Sequence, residues 1–190
     1  MSDWSRFERL TPFRVRDVLL VASHFDHYLL EESGYLAEIM RQEYSELNLS
    51  QSPRIIHSPE ARDALRLLQA RDFDVVITMA RVGEMDVNAF GIEAKKISPG
   101  LPVMMLSHNT RELAGLSAGE GIDRIFVWTG DSRILLSICK LIEDERNVEN
   151  DVRDGDVQVI LLVEDSRRFY SAYLPLLYTQ LVNQTTRLMG

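Results

Sequence analysis

Six short apolar runs punctuate the chain, and their character constrains the fold more than any other feature. They fall at residues 18–21 (VLLV), 54–57 (RIIH), Val75–Met79 (VVITM), 103–106 (VMML), 125–128 (IFVW) and 157–163 (VQVILLV). A strand with one wet face alternates apolar and polar residues. Runs that are apolar nearly throughout suit the strands of a parallel sheet, which is covered on both faces. The stretches between them carry helical signals. Ser58-Pro59-Glu60 offers an N-cap, a proline at the first helical position and an early acid. Ala61, Ala64, Leu65 and Leu68 then mark one apolar face. Between 25 and 49, Phe25, Tyr28, Leu29, Leu36, Ile39, Met40 and Leu47 keep helical spacing. A further helix is expected over 134–142, with Leu135, Ile138 and Cys139 facing inward.

Strand and helix alternating five times over 14–146 predict a doubly wound α/β domain. Its five parallel strands are expected in the order 2-1-3-4-5, with helices on both faces. The stretch 143–156 (EDERNVENDVRDGD) is dense in charge, and residues 147–156 read as a linker. A sixth strand and a helix over 166–188 follow as a C-terminal extension. One strand-helix pair is not a domain, so 157–190 is expected to open a second, truncated one. Composition agrees with a globular chain, at 45% apolar and 26% charged residues. Acidic residues outnumber basic ones 29 to 21, which argues against a nucleic-acid partner. A single cysteine, Cys139, supports neither an internal disulfide nor a multi-cysteine zinc site. With no signal-peptide core and no run near the ~18 apolar residues of a membrane span, a cytoplasmic chain without membrane contact is expected.

In open α/β sheets, ligands sit at the carboxyl ends of the strands. The residues expected there are Ala22, Ser23 and His24, then 79–81, then Ser107 and His108, then Trp128 and Thr129. Around them the phrases 74–86 (DVVITMARVGEMD), 101–107 (LPVMMLS) and 121–123 (GID) resemble the receiver domain of two-component response regulators, the CheY-like family with a flavodoxin-like fold. The resemblance implies an acidic pair for Mg²⁺ after the first strand, an acceptor aspartate ending the third and a lysine after the fifth. Those positions read Ala22, Ser23, Met79 and Trp128, and Ser107 alone keeps its type. A thioether cannot accept a phosphoryl group, and without carboxylates there is no oxygen cage for Mg²⁺. The resemblance is therefore to a degenerate pseudo-receiver, with no enzyme activity, cofactor or metal. The expected function is a regulatory, signal-transduction module working through protein–protein contacts within a larger bacterial protein. The alternative is a small-molecule domain holding a nucleotide or flavin in the strand-end crevice.

The second unit differs. Residues 160–166 (ILLVEDS) resemble the opening of an ordinary receiver, with Glu164 and Asp165 as its acidic pair; the same two residues also read as a turn capping the next helix. Phrases 126–131 (FVWTGD) and 173–178 (YLPLLY) are similar to the N-terminal region of large bacterial proteins with phosphoenolpyruvate synthase or pyruvate phosphate dikinase modules. None of those enzymes' catalytic machinery is visible in the chain. His24, His27 and His108 read as solvated or hydrogen-bonded side chains rather than metal ligands. Met79 and Trp128 read as filler for a vanished phosphate pocket, and Gly83 as turn chemistry. The tail carries Phe169, Tyr170, Tyr173, Leu174, Leu177, Tyr178 and Leu181, a band too wide for a helix with one free face. Cover must come from the first domain or from a second copy, and a homodimer is expected. Pro175 is expected to bend or loosen that helix.

Overall fold

The computed structural model describes residues 10–32, 52–108, 118–155 and 157–189. Strands β1 (Asp17–Val21), β2 (Arg54–Ser58), β3 (Val75–Met79), β4 (Val103–Ser107) and β5 (Arg124–Val127) form one parallel sheet in the order β2-β1-β3-β4-β5. The helices are α1 (His24–Glu32), α2 (Ala61–Ala70), α3 (Val87–Ile97), α4 (Arg133–Gly155) and α5 (Arg167–Met189). Every residue of β3 and β4 is buried, as central strands with two covered faces require. Val18 and Leu20 of β1, with Ile55 and Ile77 beside them, face Leu135 and Cys139 of α4. α1 shares that side and is tied to the start of α4 by the Ser132 hydroxyl, which donates to the Leu30 carbonyl at 2.9 Å. α2 and α3 pack together on the opposite side, as right-handed crossovers dictate. Cys139 is fully buried, and burial pushes its thiol well above the usual range, so it is an inert core residue.

Three local expectations change. α2 begins after Glu60 rather than at Pro59, because Ser58 is still the last residue of β2 and its hydroxyl donates to the Glu60 carbonyl. The helix expected over 25–49 is seen as α1 to Glu32; residues 33–51 and the crossover at 109–117 lie outside the described residues. The charged stretch expected as a linker is the second half of α4.

That correction has a physical cause. Three polar residues four apart on α4 grip alternate residues of the segment that leads into β1. Glu143 accepts from the Val15 amide, and Asp151 from the Thr11 amide, each at 2.9 Å. Asn147 closes both halves of a backbone-like pair with Phe13, accepting its amide at 2.9 Å and donating to its carbonyl at 2.7 Å. Glu143 and Asn147 are buried, and Lys140 balances Glu143 at 2.7 Å. A charge-rich sequence is thus held helical by partners some 130 residues earlier in the chain.

The C-terminal helix docks on the same domain. The Val127 amide, on the open edge of β5, donates to Ser171 Oγ at 2.9 Å. Leu174 is buried in the core, and Tyr178 donates to Asp144 of α4 at 2.7 Å. Burial, and then the charge of Asp144, hold the Tyr178 phenol protonated and so keep it a donor. α5 continues through Pro175 without a break. The segment 157–163, expected as a strand, is extended but has no ladder partner among the described residues. Leu162 packs against the core, while the other side chains are open to solvent, Leu161 at 83% and Val163 at 81%.

Close approach fixes one more contact: a Cβ on Gly121 would lie 2.2 Å from the Asn88 carbonyl oxygen of α3, so only glycine fits there. Replacing Asn147 with alanine leaves the Phe13 amide and carbonyl without their partners. Asn147→Ala should cost about 2–4 kcal/mol of folding free energy in urea titration, whereas a surface control such as Glu149→Ala should cost less than about 0.5 kcal/mol.

Candidate functional site

The five strands end within one residue of their neighbours. Val21 pairs with both Ser58 and Thr78, Met79 with Leu106, and Ser107 with Val127. Two further amides extend the ladders by one residue, Ala22 to the Ser58 carbonyl at 3.1 Å and Trp128 to the Ser107 carbonyl at 2.8 Å. The structure therefore gathers Ala22, Ser23, Met79, Ser107 and Trp128 on one rim, where the sequence places them. Their chemistry is that of a packed end. Ala22 and Ser107 are fully buried, Met79 is 2% and Trp128 8% exposed. The thioether and the indole fill space between strand ends.

Polar order at this rim comes from Ser23 and His108 together with Asp26, which the strand-end positions do not include. Ser23 caps α1: the Asp26 amide donates to Ser23 Oγ at 3.1 Å, and Ser23 Oγ donates to Asp26 Oδ2 at 2.7 Å. The other oxygen of Asp26 accepts from His108 Nε2 at 2.7 Å, which ties the end of β4 to the first turn of α1. The His108 ring also leans on Trp128, with centroids 5.3 Å apart. Ser-x-x-Asp is a readable capping pattern, but the Asp26–His108 bond spans 82 residues and leaves no local signal.

His57 is the second residue missed. It stands opposite Leu20 in the β1–β2 register, on the face that looks toward α1. Its Nε2–H donates to the Ala22 carbonyl at 2.7 Å. The His27 ring lies parallel over it, centroids 3.9 Å apart, and the His24 ring meets it edge-on at 5.6 Å. The chain has four histidines, and all four stand at this end of the sheet. They stack rather than converge on a point. Among the described residues no three His, Cys, Asp or Glu side chains are grouped to hold a metal ion. Burial, then the neighbouring His57, hold His27 below the usual imidazole range, with Glu31 at 3.6 Å opposing them.

Glu164 and Asp165 lie away from this rim, at the start of α5. The Glu164 carboxylate accepts the Ser166 amide at 2.8 Å, and Ser166 Oγ faces the Phe169 amide at 3.4 Å. Asp165 is exposed.

No protein-family model matches the chain, and no curated protein matches it in sequence. Its likeness is to solved structures. A CheY-like response regulator receiver domain from Methanospirillum hungatei JF-1 is 19% identical, covers 71% of this chain and 98% of its own, and gives a TM-score of 0.53. A CheY-like receiver domain from Methylobacillus flagellatus is 17% identical over 67% of this chain and 98% of its own, with a TM-score of 0.51. A protein described as one of a novel family of redox sensors in the streptococci, evolved from two-component response regulators, is 17% identical over 80% of this chain and 59% of its own, with a TM-score of 0.52. The fold is that of receiver domains.

Restoring one acid does not restore a phosphate pocket here. Met79→Asp puts a carboxylate where the thioether is 2% exposed and should cost about 3–5 kcal/mol at neutral pH. Met79→Leu should stay within about 1.5 kcal/mol. Urea denaturation of the two variants checks both values.

Proposed function

We propose that this chain is a regulatory module that keeps the receiver fold, has lost aspartyl phosphorylation and transmits through protein–protein contacts. The observation that carries the reading is the buried, carboxylate-free sequence of the strand ends, Ala22 after β1 and Met79 at the end of β3. A phosphoryl acceptor needs a carboxylate there and Mg²⁺ needs hard oxygen ligands. Asp26 is already committed to Ser23 and His108. The alternative, a nucleotide or flavin in the crevice, is disfavoured because Met79 and Trp128 occupy the space such a ligand would need. The streptococcal redox sensors described above as evolved from response regulators make a change of input on this scaffold reasonable.

The setting we assign is a larger bacterial protein, in keeping with the resemblance of 126–131 and 173–178 to the front of phosphoenolpyruvate synthase-like proteins. Residues 157–190 then form the first strand-helix unit of a second receiver-like domain, with Glu164 and Asp165 as its acidic pair. The contact surface is the exposed Val159, Ile160, Leu161 and Val163 together with Phe169, Tyr173 and Leu176, which share the outer stripe of α5. In the 190-residue chain the partner for this surface is a second copy, joined across a two-fold axis.

Two outcomes are expected. Acetyl phosphate with Mg²⁺ should leave the mass of the intact chain unchanged; an acid-labile gain of one phosphoryl group mapped to residues 14–146 would falsify the loss of phosphorylation. Light scattering coupled to size exclusion should find a dimer, and the double variant Leu161→Lys, Val163→Lys should be a monomer. A wild-type monomer at high protein concentration rules out the self-association.

A further inference from the structure

We propose that the histidine-lined end of the sheet is a proton-binding regulatory site, in which uptake of protons as the pH falls below about 6.5 loosens α1 from β2. The inference rests on the reading of this rim as a receiver site without phosphoryl chemistry. It names the input that takes the place of phosphorylation.

The geometry favours neutral rings. His57 and His27 lie 3.9 Å apart and nearly parallel, 11° between their planes, so two positive charges would face each other across a stacking distance. His24 is a third imidazole against the same His57 ring. The His57 bond to the Ala22 carbonyl keeps a proton on Nε2 and leaves Nδ1 to take up the next one. His24 opens α1 and His27 lies in its first turn, where the unpaired amides of a helix already present positive charge. The acids are few. Glu31 faces His27 from 3.6 Å but is itself 60% exposed, and both oxygens of Asp26 are taken by Ser23 and His108. From α1 the stack thus meets His24, Asp26 and Glu31, and from the end of β4 it meets His108.

The sign follows from the groups. A histidine whose proton affinity is lowered in the folded state binds fewer protons there than in the loosened state. The docking of α1 is therefore complete above the ordinary imidazole value, about 6.5, and is lost as the pH falls below it. Two positive charges facing each other across the stack repel, so the stack resists a second proton. What moves is α1, held at this end by the Ser23 cap, the Asp26–His108 bond and the histidine stack.

The experiment is NMR on the intact 190-residue chain, following the histidine Cε1–H signals and amide protection from pH 8 to pH 5. His27 should titrate below a free histidine, and His57→Gln should raise its midpoint. Glutamine keeps an N–H for the Ala22 carbonyl while removing the charge. The protection factors of the Tyr28 to Glu31 amides should fall at least tenfold between pH 7.5 and pH 5.5, while those of β3 hold. In the double variant His27→Gln, His57→Gln that fall should disappear. The proposal is overturned if His27 titrates at the free-histidine value, or if α1 loses as much protection in the double variant as in the wild type. The wild-type titration decides the matter even if the variants fold poorly. Phosphorylation by acetyl phosphate tests the underlying reading separately, since neither result alters the other measurement.

Discussion

The structure hangs on the polar clamp between α4 and the segment entering β1. Glu143, Asn147 and Asp151 hold the amides of Val15, Phe13 and Thr11, and so extend α4 well past the sheet that its first turns cover. Part of the docking of α5 uses that extra length. Asp144 receives Tyr178, and Glu145 reaches Arg124, which in turn meets Tyr170. Without the clamp, a sequence as charged as 143–155 has little reason to stay helical, and α5 loses the platform on which it lies.

At the opposite end of the sheet, architecture and chemistry have separated. The strands still end within one residue of their neighbours and the loops still open where a ligand would lie. Yet the groups there are an alanine, a thioether and an indole, all buried. The remaining polarity is arranged as a cap, a carboxylate–imidazole bond and a stack of rings. Such a rim responds to charge placed on it, because it has few acids with which to answer.

The sheet was legible because each central strand is apolar throughout, a pattern that only two covered faces explain. Strand order followed from alternation and handedness. Rim positions 22, 23, 79, 107 and 128 followed from counting to the strand ends. Two kinds of feature escaped. The clamp residues look like solvated linker charges, since their partners are backbone groups at the far end of the chain. Asp26 and His57 have no local signature for their long-range roles; the second reads as the end of a weak strand, until β2 and β4 are set beside α1. The segment 157–163 carries a central-strand sequence but stands without a ladder among the described residues, because strand character in a sequence is realised only when neighbouring strands are present.

Ser171 gives the sheet an asymmetry of another kind. Its hydroxyl occupies the Val127 amide on the outer side of β5, and the body of α5 shields that edge, while β2 on the far side has no neighbouring strand among the described residues. A sheet stoppered at one margin grows in one direction only. Two copies meeting through β2 would make a ten-stranded sheet, twice the five of one chain, with a stopper at each end and nothing left to template a third. Lateral assembly through this sheet would therefore be self-terminating, with Ser171 and the helix that carries it setting the limit.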